Sequence, residues 1–117
     1  MNWTTQTWPD YIKHKRVPGL EWDDILEITK DGRPARYGPD IDDNEQEHLE
    51  RLCVNSGTLI RELHARRSYY MDMERDIGAS RGRKTSIVYA EWKSTGEIHG
   101  RPITEMELRE KLRGTRS

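Results

Sequence analysis

The chain has 117 residues, of which 35% are charged and 32% hydrophobic, and its formal net charge is -1. Leucine, isoleucine and valine together number 20 and phenylalanine is absent, so large core-forming residues are scarce, but the near-neutral charge gives no reason for the chain to stay unfolded. No window of the sequence approaches the run of about 18 apolar residues that a membrane-spanning segment needs, so such a segment is excluded. The length favours one small domain.

The single cysteine, Cys53, excludes an intrachain disulfide and a cysteine-based zinc site. Residues 1–5 contain neither a basic start nor an apolar segment, so we expect no secretory signal. We therefore expect a cytoplasmic location, which for a viral protein means the host-cell cytoplasm or the virion.

Residues 1–20 predict an extended, aromatic N-terminal arm, and residues 21–117 predict a single small domain. In the arm Trp3, Trp8 and Tyr11 are interspersed with polar residues, with no helical or strand period. Large aromatic side chains are costly to leave in water. We therefore expect the arm to pack on the domain or on another subunit.

A short helix is predicted for residues 21–28, and a long central helix or a helix pair for residues 43–77. Asp43 and Gln46 provide an N-cap and its capping-box partner. Apolar residues then recur at helical spacing at Leu49, Leu52, Leu59, Leu63, Tyr70, Met73 and Ile77. The tripeptide 55–57 (Asn-Ser-Gly) interrupts this pattern, so the segment is either one helix or two that meet there.

The C-terminal third predicts a small β-hairpin at about 85–103 and a short helix at 105–113. Strand formers follow Thr85, and Ser94–Glu97 supplies a turn. Thr104 and Glu107 form a capping box before the last helix. The expected fold class is therefore mainly α with a small β-hairpin (α+β).

Residues 52–63, Leu-Cys-Val-Asn-Ser-Gly-Thr-Leu-Ile-Arg-Glu-Leu, resemble the centre of a helix-turn-helix motif. The resemblance spans residues 49–63 and departs from the motif at Leu49, where that family prefers alanine. It implies that the side chains of a second helix face DNA, helped by a basic loop downstream. The implied DNA-binding residues are Thr58, Arg61, His64, Arg66, Arg81, Arg83 and Lys84.

Catalytic and metal-binding signals are weak in this sequence. The histidines, His14, His48, His64 and His99, have no regular metal-ligand spacing, and Cys53 lies on the predicted apolar side, as a packed thiol does. We therefore expect no enzyme activity, no cofactor, no metal site and no small-molecule substrate.

A long helix in so short a chain has few intrachain partners for its apolar stripe, and a second subunit would cover it. The sequence thus favours a non-enzymatic protein-binding, assembly or inhibitor protein, for example of viral or mobile-element origin, with a protein partner or a homo-oligomer. The expected contact residues are Trp3, Trp8, Tyr11, Leu49, Leu52, Leu59, Leu63, Tyr70 and Met73. The alternative is a helix-turn-helix DNA-binding regulator or a DNA-packaging accessory protein. For that alternative, the charge distribution is relevant: residues 1–60 carry 7 basic and 12 acidic side chains, whereas residues 61–117 carry 13 and 9.

Overall fold

A computed structural model describes residue 3, residues 5–9 and residues 14–114. Within these residues the chain forms three helices and seven strands, so the predicted mainly α fold is wrong. In chain order the elements are α1 (Trp22–Ile28), β1 (Arg36–Tyr37), α2 (Asp43–Ser56), β2 (Thr58–Leu63), β3 (Arg66–Asp72), β4 (Gly78–Ser80), β5 (Arg83–Thr85), β6 (Ile87–Lys93), β7 (Ile98–Ile103) and α3 (Glu105–Arg113).

The strands form two antiparallel sheets, a small one in the order β1-β4-β5 and a larger one in the order β2-β3-β6-β7. Helix α2 packs on one face of the larger sheet, which we call the inner face. The core lies between them, because alternate residues of β6 and β7 point toward α2. Its buried members are Tyr37, Ile41, Leu49, Cys53, Val54, Ile77, Val88, Ala90, Trp92 and Ile98.

The predicted helix over 43–77 is wrong beyond Ser56, because the chain turns there into the β2–β3 hairpin. Gly57 is the C-cap of α2, and its N–H donates the last hydrogen bond of the helix, to the carbonyl oxygen of Cys53. A Cβ at Gly57 would collide with the carbonyl oxygens of Cys53 and Tyr70. Glycine therefore lets β3 pass close to the end of the helix.

A two-residue turn, His64–Ala65, joins β2 to β3, and both residues have positive φ, 53° and 61°. This backbone is typical of tight hairpin turns, which usually carry Asn-Gly or another glycine pair. The sequence lacks that signal, and the helical spacing of Leu59 and Leu63 is coincidental. These two leucines are 49% and 50% exposed.

The helix-turn-helix expected from residues 49–63 is not formed, because Thr58–Leu63 is a strand and no second helix follows α2 there. Other local predictions are confirmed. Helix α1 matches the predicted 21–28, and α3 matches 105–113 with its capping box of Thr104 and Glu107. Strands β6 and β7 form a hairpin within 85–103, although they belong to a four-stranded sheet.

The described part of the arm lies on the chain's own domain. Thr7 forms a parallel bridge with Glu97 and exchanges backbone hydrogen bonds of 2.7 Å with Gly96 and Ile98. The ring of Trp3 meets that of Trp92 edge to face, with 5.5 Å between the ring centroids. The predicted contact residue Tyr11 lies outside the described residues.

Candidate functional site

The face of the larger sheet turned away from α2, the outer face, is covered by α3 at one end. Leu108 of α3 packs there against Ile87, Tyr89 and Ile103. At the other end of this face, strand register brings the polar residue Ser68 of β3 opposite Glu91 of β6. Residues opposite each other on neighbouring antiparallel strands share a face, so polar side chains collect at the end that α3 leaves open.

A cleft of about 340 Å³ lies at this open end, and we call it the cationic cleft. Its lining comes from β2, β3, β6 and the turn between β2 and β3. The lining residues are Arg61, Leu63, His64, Arg66, Ser68, Tyr89 and Glu91. Arg61, His64 and Arg66 are exposed, so two guanidinium groups and an imidazole are available to a ligand from solvent.

Two further cations flank the cleft by stacking on Tyr89. The Arg101 guanidinium lies 4.9 Å and the Lys111 Nζ 4.1 Å from the centroid of the Tyr89 ring. Burial, and next the charge of Arg101, lower the pKa of the Lys111 ammonium, while burial raises the pKa of the Tyr89 hydroxyl. The hydroxyl lies 3.3 Å from Oγ of Ser68 and donates a hydrogen bond to it. The aromatic ring thus holds two cations close together at the side of the cleft.

Glu91 and His99 face each other across β6 and β7 on the same outer face. Arg66 lies 3.8 Å from the Glu91 carboxylate. Burial lowers the pKa of His99, and the cations Lys93, Arg66 and Arg101 lower it further, against the opposing effect of Glu91. A carboxylate and an imidazole therefore stand side by side within a group of cations.

The charge of this region is strongly positive. Arg61, Arg66, Arg101 and Lys111 supply four cations, and Glu91 is the carboxylate among the cleft-lining residues. An excess of four cations over one carboxylate favours an anionic ligand.

A second cavity, of about 220 Å³, lies at the β7 edge between α2 and the arm. Its buried carboxylate, Glu50, accepts hydrogen bonds from Nε1 of Trp8 at 2.8 Å, the hydroxyl of Tyr37 at 2.9 Å and Nε2 of Gln46 at 3.1 Å. The pKa of Glu50 is raised by burial, against the lowering effect of these bonds. With its oxygens already engaged by the protein, Glu50 ties the arm to the core.

The predicted DNA-binding residues separate into two groups. Arg61, His64 and Arg66 line the cationic cleft together, although they lie on a β-hairpin and not on a helix, and Thr58 is exposed at the far end of β2. The other three, Arg81, Arg83 and Lys84, line a separate cavity of about 360 Å³ beside α3.

The second group of basic residues is partly neutralised by neighbours. Arg81 lies 3.6 Å from carboxylates of both Glu107 and Glu110, and the Lys84 ammonium lies 4.8 Å from the Trp22 ring centroid. The cationic cleft is therefore the better anion site of the two.

The predicted protein-contact residues are distributed through the chain. Leu49 is buried in the core, and Trp3, Tyr70 and Met73 are partly buried against core clusters. Leu52 and Trp8 are also partly buried, whereas Leu59 and Leu63 are about half exposed along β2. Whether any of them contacts another protein stays a prediction.

Sequence reasoning missed Tyr89, Glu91, His99, Arg101 and Lys111 as site residues. The signal for four of them was present: a hairpin that turns at Ser94–Glu97 sets Glu91 opposite His99 and Tyr89 opposite Arg101. Lys111 reaches Tyr89 from a separate helix, and no local pattern predicts that contact.

Among the described residues there is no group of three or more His, Cys, Asp or Glu side chains arranged to hold a metal ion. No helix in the same part of the chain is long and apolar enough to cross a membrane. Comparisons with protein-family models, curated proteins and solved structures found no match.

Proposed function

We propose that this chain binds single-stranded nucleic acid in the cationic cleft. The observation that carries the proposal is the grouping of Arg61, Arg66, Arg101 and Lys111 around Tyr89 on one open sheet face. Phosphates are the anions that such clusters bind, and guanidinium planes also stack on exposed bases. An open cleft suits a flexible single strand, because no protruding helix is present there to enter a duplex groove.

Salt dependence gives a first quantitative expectation. If the four cations each meet one phosphate, binding to a single strand should weaken with a logarithmic salt slope of about -2.8. Affinity should then fall roughly 50-fold between 50 and 200 mM salt. Fluorescence anisotropy of a labelled ten-nucleotide DNA strand measures both values.

Substitutions then locate the site. Arg61→Ala and Arg66→Ala, both at exposed positions, should each weaken binding about fourfold at 0.15 M salt and reduce the slope by about 0.7. Arg51→Ala on α2 removes the same charge away from the outer face and serves as the matched control. Equal effects of all three substitutions, or affinity that ignores salt, would contradict the proposal. A dominant loss from Arg83→Ala would instead favour the basic β4–β5 hairpin.

The protein-binding and assembly function expected from the sequence stays a prediction. The long helix on which that expectation was based is not formed, because α2 ends at Ser56. One observation favours it: β2 is an edge strand of the larger sheet with Leu59 and Leu63 about half exposed, and such an edge can pair with another chain. A second copy of the chain would give a solution mass near twice 13.8 kDa without nucleic acid. Light scattering on the wild type and on Leu59→Lys measures this.

We also propose a cytoplasmic location, including the host-cell cytoplasm or the virion for a viral protein. The support is the free cysteine, Cys53, which is buried. Fractionation of cells expressing the chain tests this.

A further inference from the structure

The outer face beside the cationic cleft holds more than a binding surface requires. Simple phosphate binding is best served by cations alone, yet a carboxylate and an imidazole occupy directly opposed positions on adjacent strands of this face. Glu91 lines the cationic cleft, and His99 lines the second cavity at the β7 edge. Directly opposed residues on antiparallel strands have Cβ atoms about 5 Å apart. Two such side chains can therefore reach opposite sides of one phosphate group.

We propose that the chain cleaves single-stranded RNA at this pair, with Glu91 as general base and His99 as general acid. This inference rests on the proposed binding of single-stranded nucleic acid on the same sheet face. The reaction is an internal transesterification, which needs a ribose 2′-hydroxyl and therefore distinguishes RNA from DNA.

The step balances within the substrate and these two side chains. The Glu91 carboxylate takes the proton of the 2′-hydroxyl, and the 2′-oxygen forms a bond to the adjacent phosphorus. The bond from phosphorus to the 5′-oxygen of the next nucleotide breaks, and protonated His99 gives its proton to that leaving oxygen. The products are a 2′,3′-cyclic phosphate end and a 5′-hydroxyl end, with Glu91 protonated and His99 neutral until protons exchange with water.

Neighbouring cations suit the charge that develops in this step. The Arg66 guanidinium, 3.8 Å from the Glu91 carboxylate, lies within reach of a phosphate beside it. Arg101 is on the same strand as His99, two residues along, and therefore on the same face. Fixed guanidinium groups stabilise the extra negative charge on phosphate oxygens in the transition state.

His99 must be protonated to act, so cleavage should depend on pH. Its pKa lies below the usual 6.5, with burial as the main cause, and kcat/KM reports the free enzyme. Because the protonated fraction falls as pH rises through the His99 pKa, kcat/KM should fall about tenfold from pH 6.5 to 7.5. The charged and titratable groups that face His99 from its neighbours are Glu91, Lys93, Arg66, Arg101, Glu50 and His14.

The test uses a fluorescent RNA oligomer and a DNA oligomer of the same sequence, with the full chain at pH 6. We expect RNA fragments with 2′,3′-cyclic phosphate ends by mass spectrometry, also in the presence of EDTA, and intact DNA. Glu91→Gln and His99→Gln should each lower cleavage at least about 100-fold, measured for each variant at RNA concentrations that saturate its binding. His48→Gln, an exposed histidine on α2, is the matched control and should cleave normally.

The remaining outcomes contradict either the proposed cleavage alone or both the cleavage and the proposed binding. DNA binding without RNA cleavage overturns this inference and leaves the proposed function standing, whereas the absence of both removes the two together. Cleavage that survives both substitutions, or that lacks cyclic phosphate ends, also overturns it. The pH profile of the wild type needs no substitution, so it tests the role of His99 even if a variant fails to fold. A rate of cleavage that rises from pH 6.5 to 7.5 contradicts that role.

Discussion

Substitution of Glu50 tests the hydrogen-bond network that joins α2, the arm and the core. The carboxylate is 1% exposed and accepts from Trp8, Tyr37 and Gln46. In Glu50→Ala, Tyr37 and Gln46 lose this acceptor at buried positions, whereas Trp8 is only partly buried and can turn to water. Each buried unsatisfied donor costs about 2 kcal/mol, so the free energy of unfolding should fall by about 4 kcal/mol.

Glu50→Gln should cost much less, because it keeps the shape of the side chain and one oxygen acceptor. Gln46 has an Oε1 atom without a partner among the described residues, and a flip of its amide would let that oxygen accept from the new Gln side chain. We expect a loss below about 1.5 kcal/mol.

The wild type and Glu50→Gln should also differ in how their free energy of unfolding depends on pH. Because the pKa of Glu50 is raised in the folded state, the folded form binds the proton more tightly than the unfolded form. This contribution to stability is complete below the usual 4.5 and is lost as pH rises through the raised pKa. The wild type should therefore lose stability relative to Glu50→Gln between pH 4.5 and 8.

Urea unfolding followed by tryptophan fluorescence at pH 4.5 and pH 8 measures the free energy of unfolding of the wild type, Glu50→Ala and Glu50→Gln. With a slope of about 1.5 kcal/mol per molar urea, the midpoint of Glu50→Ala should fall by roughly 2 to 3 M. A loss below about 1 kcal/mol for Glu50→Ala, or equal losses for the two variants, would refute this account of the network.

Two further predictions concern the turn and the thiol. Ala65→Gly should raise the free energy of unfolding by about 1 kcal/mol, since Ala65 holds a φ of 61° that glycine adopts without strain; a lower melting temperature by calorimetry would contradict this. Cys53 is fully buried, and burial, with the charge of Glu50, raises the pKa of its thiol, so a thiol reagent should modify it only after unfolding. Rapid modification of the native chain, followed by absorbance, would contradict that burial.

Local sequence signals predicted the elements whose ends they mark. The capping box of Thr104 and Glu107 fixes the start of α3, and the turn at 94–97 fixes the β6–β7 hairpin. The β2–β3 hairpin escaped prediction because its turn uses His64 and Ala65 in a left-handed conformation, which residue types alone do not indicate. Without that turn, the spacing of Leu59 and Leu63 indicated a helix.

The sequence predicted part of the candidate site, but on the basis of a helix that the structure does not contain. Arg61, His64 and Arg66 were selected as residues of a DNA-reading helix, yet they lie in one cleft because the tight turn brings both ends of its hairpin together. Lys111 joins them through tertiary packing of α3 on the outer face. Such contacts depend on how separate elements meet, and the period of a sequence does not encode that.

An NMR titration tests the central claim, nucleic-acid binding on the outer sheet face, most directly. The ¹⁵N-labelled chain would be titrated with a DNA strand, which lacks the 2′-hydroxyl and cannot undergo the proposed cleavage. The account predicts the largest amide shift changes at and beside Arg61, Ser68, Glu91 and Arg101, with α2 amides around Arg51 unchanged. Changes concentrated on the β4–β5 hairpin or on α2, or no changes at all, would contradict it.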